Sequence, residues 1–123
     1  ICLEQMKKLP KNLEWRRHIQ KRYNDELGHL IQIPPHSETV QYYCAKVDPS
    51  DRDNIINYLA SKKVHTSVHF KPLHKFKILK QDRDYPVADK EWLRLVSFPC
   101  HNNMTDVDIE YVIYWVKRFF DEK

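Results

Sequence analysis

The chain contains a single glycine, Gly28, in 123 residues. A loop whose backbone N–H groups cradle a phosphate needs several glycines within one turn, so P-loop and dinucleotide-fingerprint functions are excluded. Cysteine is also scarce: Cys2, Cys44 and Cys100 are odd in number, far apart and without a Cys-x-x-Cys pair. They outline neither a disulfide framework nor a thiolate zinc site, and they read as reduced thiols. No apolar run approaches the roughly 20 residues that span a bilayer, and no basic start leads into an apolar signal core. A soluble, cytoplasmic protein without a membrane partner is the expectation. Internal repeats and low-complexity tracts are absent.

What is present is an ordinary globular balance, 41% hydrophobic and 31% charged residues, in a length suited to one cooperative core. The formal charge of +4 is spread thinly, because Lys and Arg alternate with Asp and Glu. Lys7, Lys8, Lys11, Arg16, Arg17, Lys21 and Arg22 form the densest basic cluster, yet they ring the first helix instead of lining one side. Tyr42 and Tyr43 are adjacent and cannot share one stacking face of a strand. A nucleic-acid partner is therefore not expected. The chain opens on Ile1 rather than Met, which leaves open a segment of a longer protein, a processed product or a natural short chain.

Periodicity predicts a long helix from about Leu3 to Leu27, with Trp15, Ile19, Tyr23 and Leu27 as its apolar stripe. Pro10, lacking an amide proton, predicts a kink or fresh start near Lys8 to Lys11, and Gly28 predicts the stop. After the extended Pro34-Pro35 connection, Thr39 to Val47 reads as a strand with Val40, Tyr42 and Cys44 opposing Gln41, Tyr43 and Ala45. Neither face is wholly polar, which suggests cover on both sides or a larger partner. Asp48-Pro49 starts a second helix that buries Ile55, Ile56 and Leu59. Val64 to Phe70 alternates as a strand, and the basic stretch from Pro72 to Arg83 reads as a loop anchored by Phe76, Ile78 and Leu79. Pro86 opens a helix that includes Trp92 and Leu95, Val96 to Pro99 is a short strand, and Thr105-x-x-Asp108 caps the last helix. That helix turns Ile109, Val112, Ile113, Val116 and Phe120 inward. The fold class is α/β (α+β), helices packed on a small, mostly antiparallel sheet.

The residues themselves bear on three kinds of chemistry. His65 and His69 share a strand face but lie about 13 Å apart at strand rise, too far for both to bind one zinc ion, so no metal site is expected. Cys100-His101 and Ser67 with His69 lack the geometry or the orienting carboxylate of a hydrolase pair. A protein-interaction domain built on Tyr42, Trp92 and Trp115 is a non-catalytic alternative.

Several segments in order resemble the C-terminal small domain of the DegT/DnrJ/EryC1/StrS family of pyridoxal-phosphate-dependent sugar aminotransferases. They are Trp15-Arg16-Arg17 through Leu27, Tyr42 to Val47, Arg52 to Leu59, Val68-His69-Phe70-Lys71-Pro72-Leu73-His74, Pro86 to Asp89, and Ser97-Phe98-Pro99 with Thr105-Asp106 and Ile109 to Val112. The resemblance implies the small domain of a fold-type I aminotransferase, with residues 1–28 as an entering helix and 29–123 as the small domain proper. It implies that an upstream domain binds pyridoxal phosphate (PLP) and supplies the Schiff-base lysine, that this smaller domain closes over a nucleotide-linked keto sugar, and that the active sites assemble near the interface with a homodimer partner. No serine here is followed three positions later by lysine, so no catalytic or cofactor-binding residue is assigned to this chain, and the isolated chain is expected to be inactive. His69 and Phe70, with Lys71 and His74 as looser contacts, are the substrate-proximal candidates. Phe70 stands where the family commonly has tyrosine, and Lys63-Val64 where it has glycine-isoleucine; the loss of glycine implies an altered turn.

Overall fold

The computed structural model describes residues 1–79 and 83–123; the end of the basic loop expected from Pro72 to Arg83 lies partly outside them. Helix α1 spans Cys2–Leu27. Ile19, Tyr23 and Leu27 are fully buried and Trp15 packs against them, so the four-residue stripe forms one side of the core. Pro10 does not divide the helix. The first eleven residues are exposed, and a carbonyl freed by the missing proline N–H can be satisfied there by water.

Gly28 ends α1, but with φ −60° it is not left-handed. Its small size matters instead: a Cβ at this position would lie 2.6 Å from the carbonyl oxygen of Asn24. The left-handed residue is Lys63, with φ 60°, just beyond helix α2, Pro49–Ser61. The turn expected to change without glycine is thus kept in a glycine-like conformation by a lysine. Asp48 caps α2 by accepting the Ser50 N–H at 2.9 Å, and Ile55 and Leu59 are buried while Ile56 packs at the margin.

Strand β1 is only Tyr43–Lys46, shorter than the expected Thr39 to Val47. The reason lies on α1, whose arginines consume the carbonyls that a longer strand would offer to a neighbour. Arg16 donates to Val40 O at 3.2 Å and Gln41 O at 3.3 Å, and Arg17 donates to Glu38 O through Nε and Nη2. Tyr43, Ala45 and Val47 face the core, whereas Tyr42 is exposed.

Strand β2, Leu95–Phe98, pairs antiparallel with β1 in the register Tyr43 to Phe98 and Lys46 to Leu95. Single antiparallel bridges extend this ribbon on both edges, Gln32 with Lys46 and Ser67 with Ser97. The strand expected over Val64 to Phe70 is reduced to that one bridge. In its register the next hydrogen-bonded position opposite His65 is Pro99, which has no N–H to give. Val64 is buried but Phe70 is 68% exposed, so the alternation does not hold to its end.

Two short 3₁₀ turns come next in the chain, Leu73–Lys75 and Lys77–Leu79. Phe76, Ile78 and Leu79, expected as anchors, are exposed, Ile78 at 95%, and neither turn places a residue in the core. Helix α3 is Pro86–Trp92; Leu95, expected within it, already belongs to β2. Helix α4 covers Asp106–Asp121 with a complete capping box: Thr105 accepts from Asp108 N and Asp108 accepts from Thr105 N. Its Ile109, Val112, Ile113 and Val116 are buried, with Phe120 packed beside them. Helices α1 and α2 both pack against α4, so the architecture is α/β, helices on a small antiparallel sheet.

A lysine in the left-handed region carries a steric cost of about 1–2 kcal/mol, partly offset in glycine by its larger chain entropy when unfolded. Lys63→Gly is therefore expected to stabilise the chain by about 0.5–1 kcal/mol, and the β-branched Lys63→Val to destabilise it. Urea unfolding checks both as opposite shifts of the midpoint at unchanged slope.

Candidate functional site

A cavity of about 240 Å³ opens beside β2 and is lined by Gln41, Tyr42, His65, Ser67, His69, Ser97, Phe98, Pro99 and Cys100. Its back wall is the fastened centre of the fold. Tyr23 donates to Pro99 O at 2.9 Å and Tyr43 to Asn24 Oδ1 at 2.8 Å, and the two rings meet edge to face at 4.9 Å between centroids. Burial pushes the phenol pKa of both tyrosines upward, as it must where the charged form would lose water.

His69 is held in the cavity wall by three contacts. Its Nδ1 lies 2.9 Å from Ser97 Oγ, Tyr42 stacks on its ring at 4.0 Å and 25°, and Phe70 meets it edge-on at 4.7 Å. The peptide between His69 and Phe70 is cis. Of the two leading sequence candidates, His69 lines the cavity, whereas Phe70 touches the His69 ring without being one of the lining residues. Lys71 instead extends over Phe76, 5.3 Å from the ring centre, and neither it nor His74 lines this cavity.

His74 belongs to a separate cluster. Its Nε2 and the Lys75 ammonium both reach Asp89 Oδ1 at 2.9 Å, and its ring stacks on Tyr85 at 4.9 Å. Lys75, and then His74, hold the Asp89 carboxyl below the usual carboxylate range. Sequence reasoning missed Ser97 and Tyr42 as members of the His69 site. Ser97-Phe98-Pro99 is visible as a motif, but nothing local shows that a serine 28 positions away bonds the histidine.

The hydrolase pairs do not form. His69 bonds Ser97 rather than Ser67, and no carboxylate hydrogen-bonds it among the described residues. Cys100 is buried, and desolvation pushes its thiol from 9.0 up to about 11, the opposite of an activated nucleophile. Among the described residues no three His, Cys, Asp or Glu side chains converge on a possible metal position.

The fit to PLP can be judged on the lysines, because the covalent anchor works as a desolvated amine in an enclosed pocket. No described lysine is buried. Lys46 pairs with Glu91 at 2.6 Å, Lys75 pairs with Asp89, and Lys62 lies 4.5 Å above the Trp115 ring. The described residues do not fit the cofactor. The basic cluster on α1 is similarly engaged: Arg16 and Arg17 hold the Glu38 to Gln41 backbone, Lys21 pairs with Asp25, and Arg22 reaches Glu110 of α4. Trp92 and Trp115 are half-buried, and no described helix is long and apolar enough to cross a membrane.

The family model described as the DegT/DnrJ/EryC1/StrS aminotransferase family matches residues 1–117, and the chain belongs to that family. It is 27% identical over 115 residues to the dTDP-4-dehydro-2,3,6-trideoxy-D-glucose 4-aminotransferase of Saccharopolyspora spinosa, a match covering 88% of this chain and 30% of that protein. Among solved structures it is similar to the aminotransferase TlmJ from Streptoalloteichus hindustanus, with a TM-score of 0.89 and 26% identity over 96% of this chain and 34% of that one. It is also similar to the PLP form of Spr1654 from Streptococcus pneumoniae, with a TM-score of 0.88 and 26% identity over 98% of this chain and 34% of that one. The chain therefore spans about a third of the length of the relatives it matches.

The raised acids set a direction for pH. Above 9.0, the ordinary thiol value, an unfolded Cys100 loses its proton while the folded one keeps it, so stability falls as pH rises toward about 11. Tyr23 and Tyr43 act in the same sense at higher pH. The melting temperature should decline above pH 9.0, and Cys100→Ser should remove part of that decline. At neutral pH iodoacetamide should label exposed Cys2 while leaving Cys100 unmodified, as read by peptide mass.

Proposed function

We propose that this chain is the C-terminal small domain of a PLP-dependent aminotransferase acting on nucleotide-linked keto sugars, and that it forms the sugar-facing wall of an active site completed by other parts of the enzyme. The observation that carries the reading is the pairing of a built polar cavity with the lack of any buried lysine among the described residues, in a chain spanning a third of its aminotransferase relatives. The name of the Saccharopolyspora spinosa relative, an aminotransferase for a dTDP-linked dehydro sugar, supports the substrate class.

On this reading amino transfer belongs to PLP and to residues outside this chain. The upstream cofactor domain and a homodimer partner are the expected neighbours. His69 and Phe70 contribute at the substrate wall: the imidazole as a polar contact, the exposed phenyl as an apolar one, without the hydroxyl that tyrosine would bring. Lys71 and His74 lie at the periphery, where the 3₁₀ turns present Phe76, Ile78 and Leu79 outward to whatever closes over the cleft.

Purified chain mixed with PLP, glutamate and candidate keto sugars should show no turnover and no stoichiometric pyridoxyl adduct that an amino donor discharges. Turnover comparable to that of intact relatives overturns the proposal. In the enzyme joined to its cofactor domain, His69→Ala should shift sugar kinetics about tenfold, the scale of one lost polar contact, with the kinetics of the amino donor changed less. Unchanged sugar dependence removes His69 from the substrate wall.

A further inference from the structure

The contact between His69 and Ser97 determines what the histidine offers to a ligand. Ser97 is 4% exposed, and both its backbone groups are taken by Ser67, at 2.7 and 3.0 Å. Its Oγ lies 2.9 Å from His69 Nδ1 and has no other hydrogen-bond partner among the described residues. A neutral imidazole carries one N–H, on either nitrogen. With the proton on Nδ1, the ring would donate to Ser97 Oγ and leave the serine's own hydrogen buried and pointing at nothing, at a cost of about 1–3 kcal/mol. With the proton on Nε2, the serine hydroxyl donates to Nδ1 and both groups are satisfied. The second arrangement wins on that difference, and neutral His69 carries its proton on Nε2.

The ring plane is fixed independently. Tyr42 covers one face at 4.0 Å and 25°, and Phe70 closes the edge at 4.7 Å. Nε2 has no protein partner among the described residues, and the residue lines the cavity. We propose that Ser97 and Tyr42 are positioning residues that lock His69 as a hydrogen-bond donor, through Nε2–H, to a hydroxyl or carbonyl oxygen of the sugar. The inference rests on the substrate-facing reading of this cavity. It also says what His69 does not do: with its lone pair turned to Ser97, Nε2 neither ligates a metal nor accepts a proton from the substrate.

The test has two arms. In the 123-residue chain with ¹⁵N-labelled histidine, above the pH at which imidazole is neutral, the His69 nitrogen shifts should report Nε2–H alone. Ser97→Ala should move them toward the average of exchanging tautomers, and Ser97→Thr, which keeps the hydroxyl, should restore them. In the full-length enzyme containing this chain, Ser97→Ala should raise KM for the nucleotide sugar about three- to tenfold, with kcat and the KM for the amino donor changed less, and Ser97→Thr should recover it. A proton on Nδ1, or shifts indifferent to Ser97→Ala, overturns the positioning role while leaving the substrate-facing reading intact. The expected tautomer with an unchanged sugar KM overturns the recognition role and counts against that reading.

Discussion

Strand β2 is four residues long, and both of its edges are hydrogen-bonded. On one edge it pairs with β1; on the other Ser97 exchanges both backbone bonds with Ser67. That double pairing places Phe98 against Tyr23 and Tyr43 in the core, sets Pro99 where its carbonyl receives the Tyr23 hydroxyl, and turns the Ser97 side chain toward His69. Core, cavity wall and candidate contact residue therefore share one short stretch of backbone. A slip of one residue in this register would exchange Ser97 with a core side chain and dismantle all three together.

The second organising feature is the use of charge on α1. Arg16 and Arg17 act as surrogate strand partners, donating to carbonyls between Glu38 and Gln41 that the two-stranded ribbon leaves unpaired. Guanidinium suits the task because its fixed fork of donors can bond more than one acceptor at once. Trp15 Nε1 does comparable work farther along, donating to Met104 O at 3.0 Å. A cluster that looks like a polyanion surface in the sequence is in large part the attachment of the long helix to the segment leading into β1. The ion pairs that continue it, such as Lys117 with Glu26 at 2.6 Å, lie at the surface, where each contributes little.

Glycine-like backbone geometry and glycine itself are separated in this chain. Gly28 sits at a helix end with ordinary φ, kept small by the Asn24 carbonyl, while Lys63 occupies the left-handed position after α2. Sequence reasoning ties the left-handed turn to the one residue type that adopts it freely, so it located the Lys63 departure but expected the turn itself to give way. The surrounding structure over-determines that turn: Lys63 N donates to Ala60 O at 2.9 Å and Val64 N to Leu59 O at 2.9 Å, and the buried Val64 side chain anchors the backbone on its far side.

The helices were legible because their causes are local. The Asp48-Pro49 start, the Thr105 and Asp108 capping box and the stripes of α1 and α4 depend on side chains within one or two turns of each other, so residue order alone determined them. The extents of the strands were not legible, since pairing is decided by backbone from elsewhere: α1 arginines end β1 early, and Pro99 denies a partner to the segment before His69. For the same reason the sequence could nominate His69 and Phe70 but not Ser97 and Tyr42, and it grouped with them Lys71 and His74, which the fold sends to other neighbours. Chain order by itself determined the helices, the small antiparallel sheet and the family resemblance; tertiary structure alone decided which hydroxyl meets the imidazole, because that contact joins residues 28 positions apart and obeys no short-range rule.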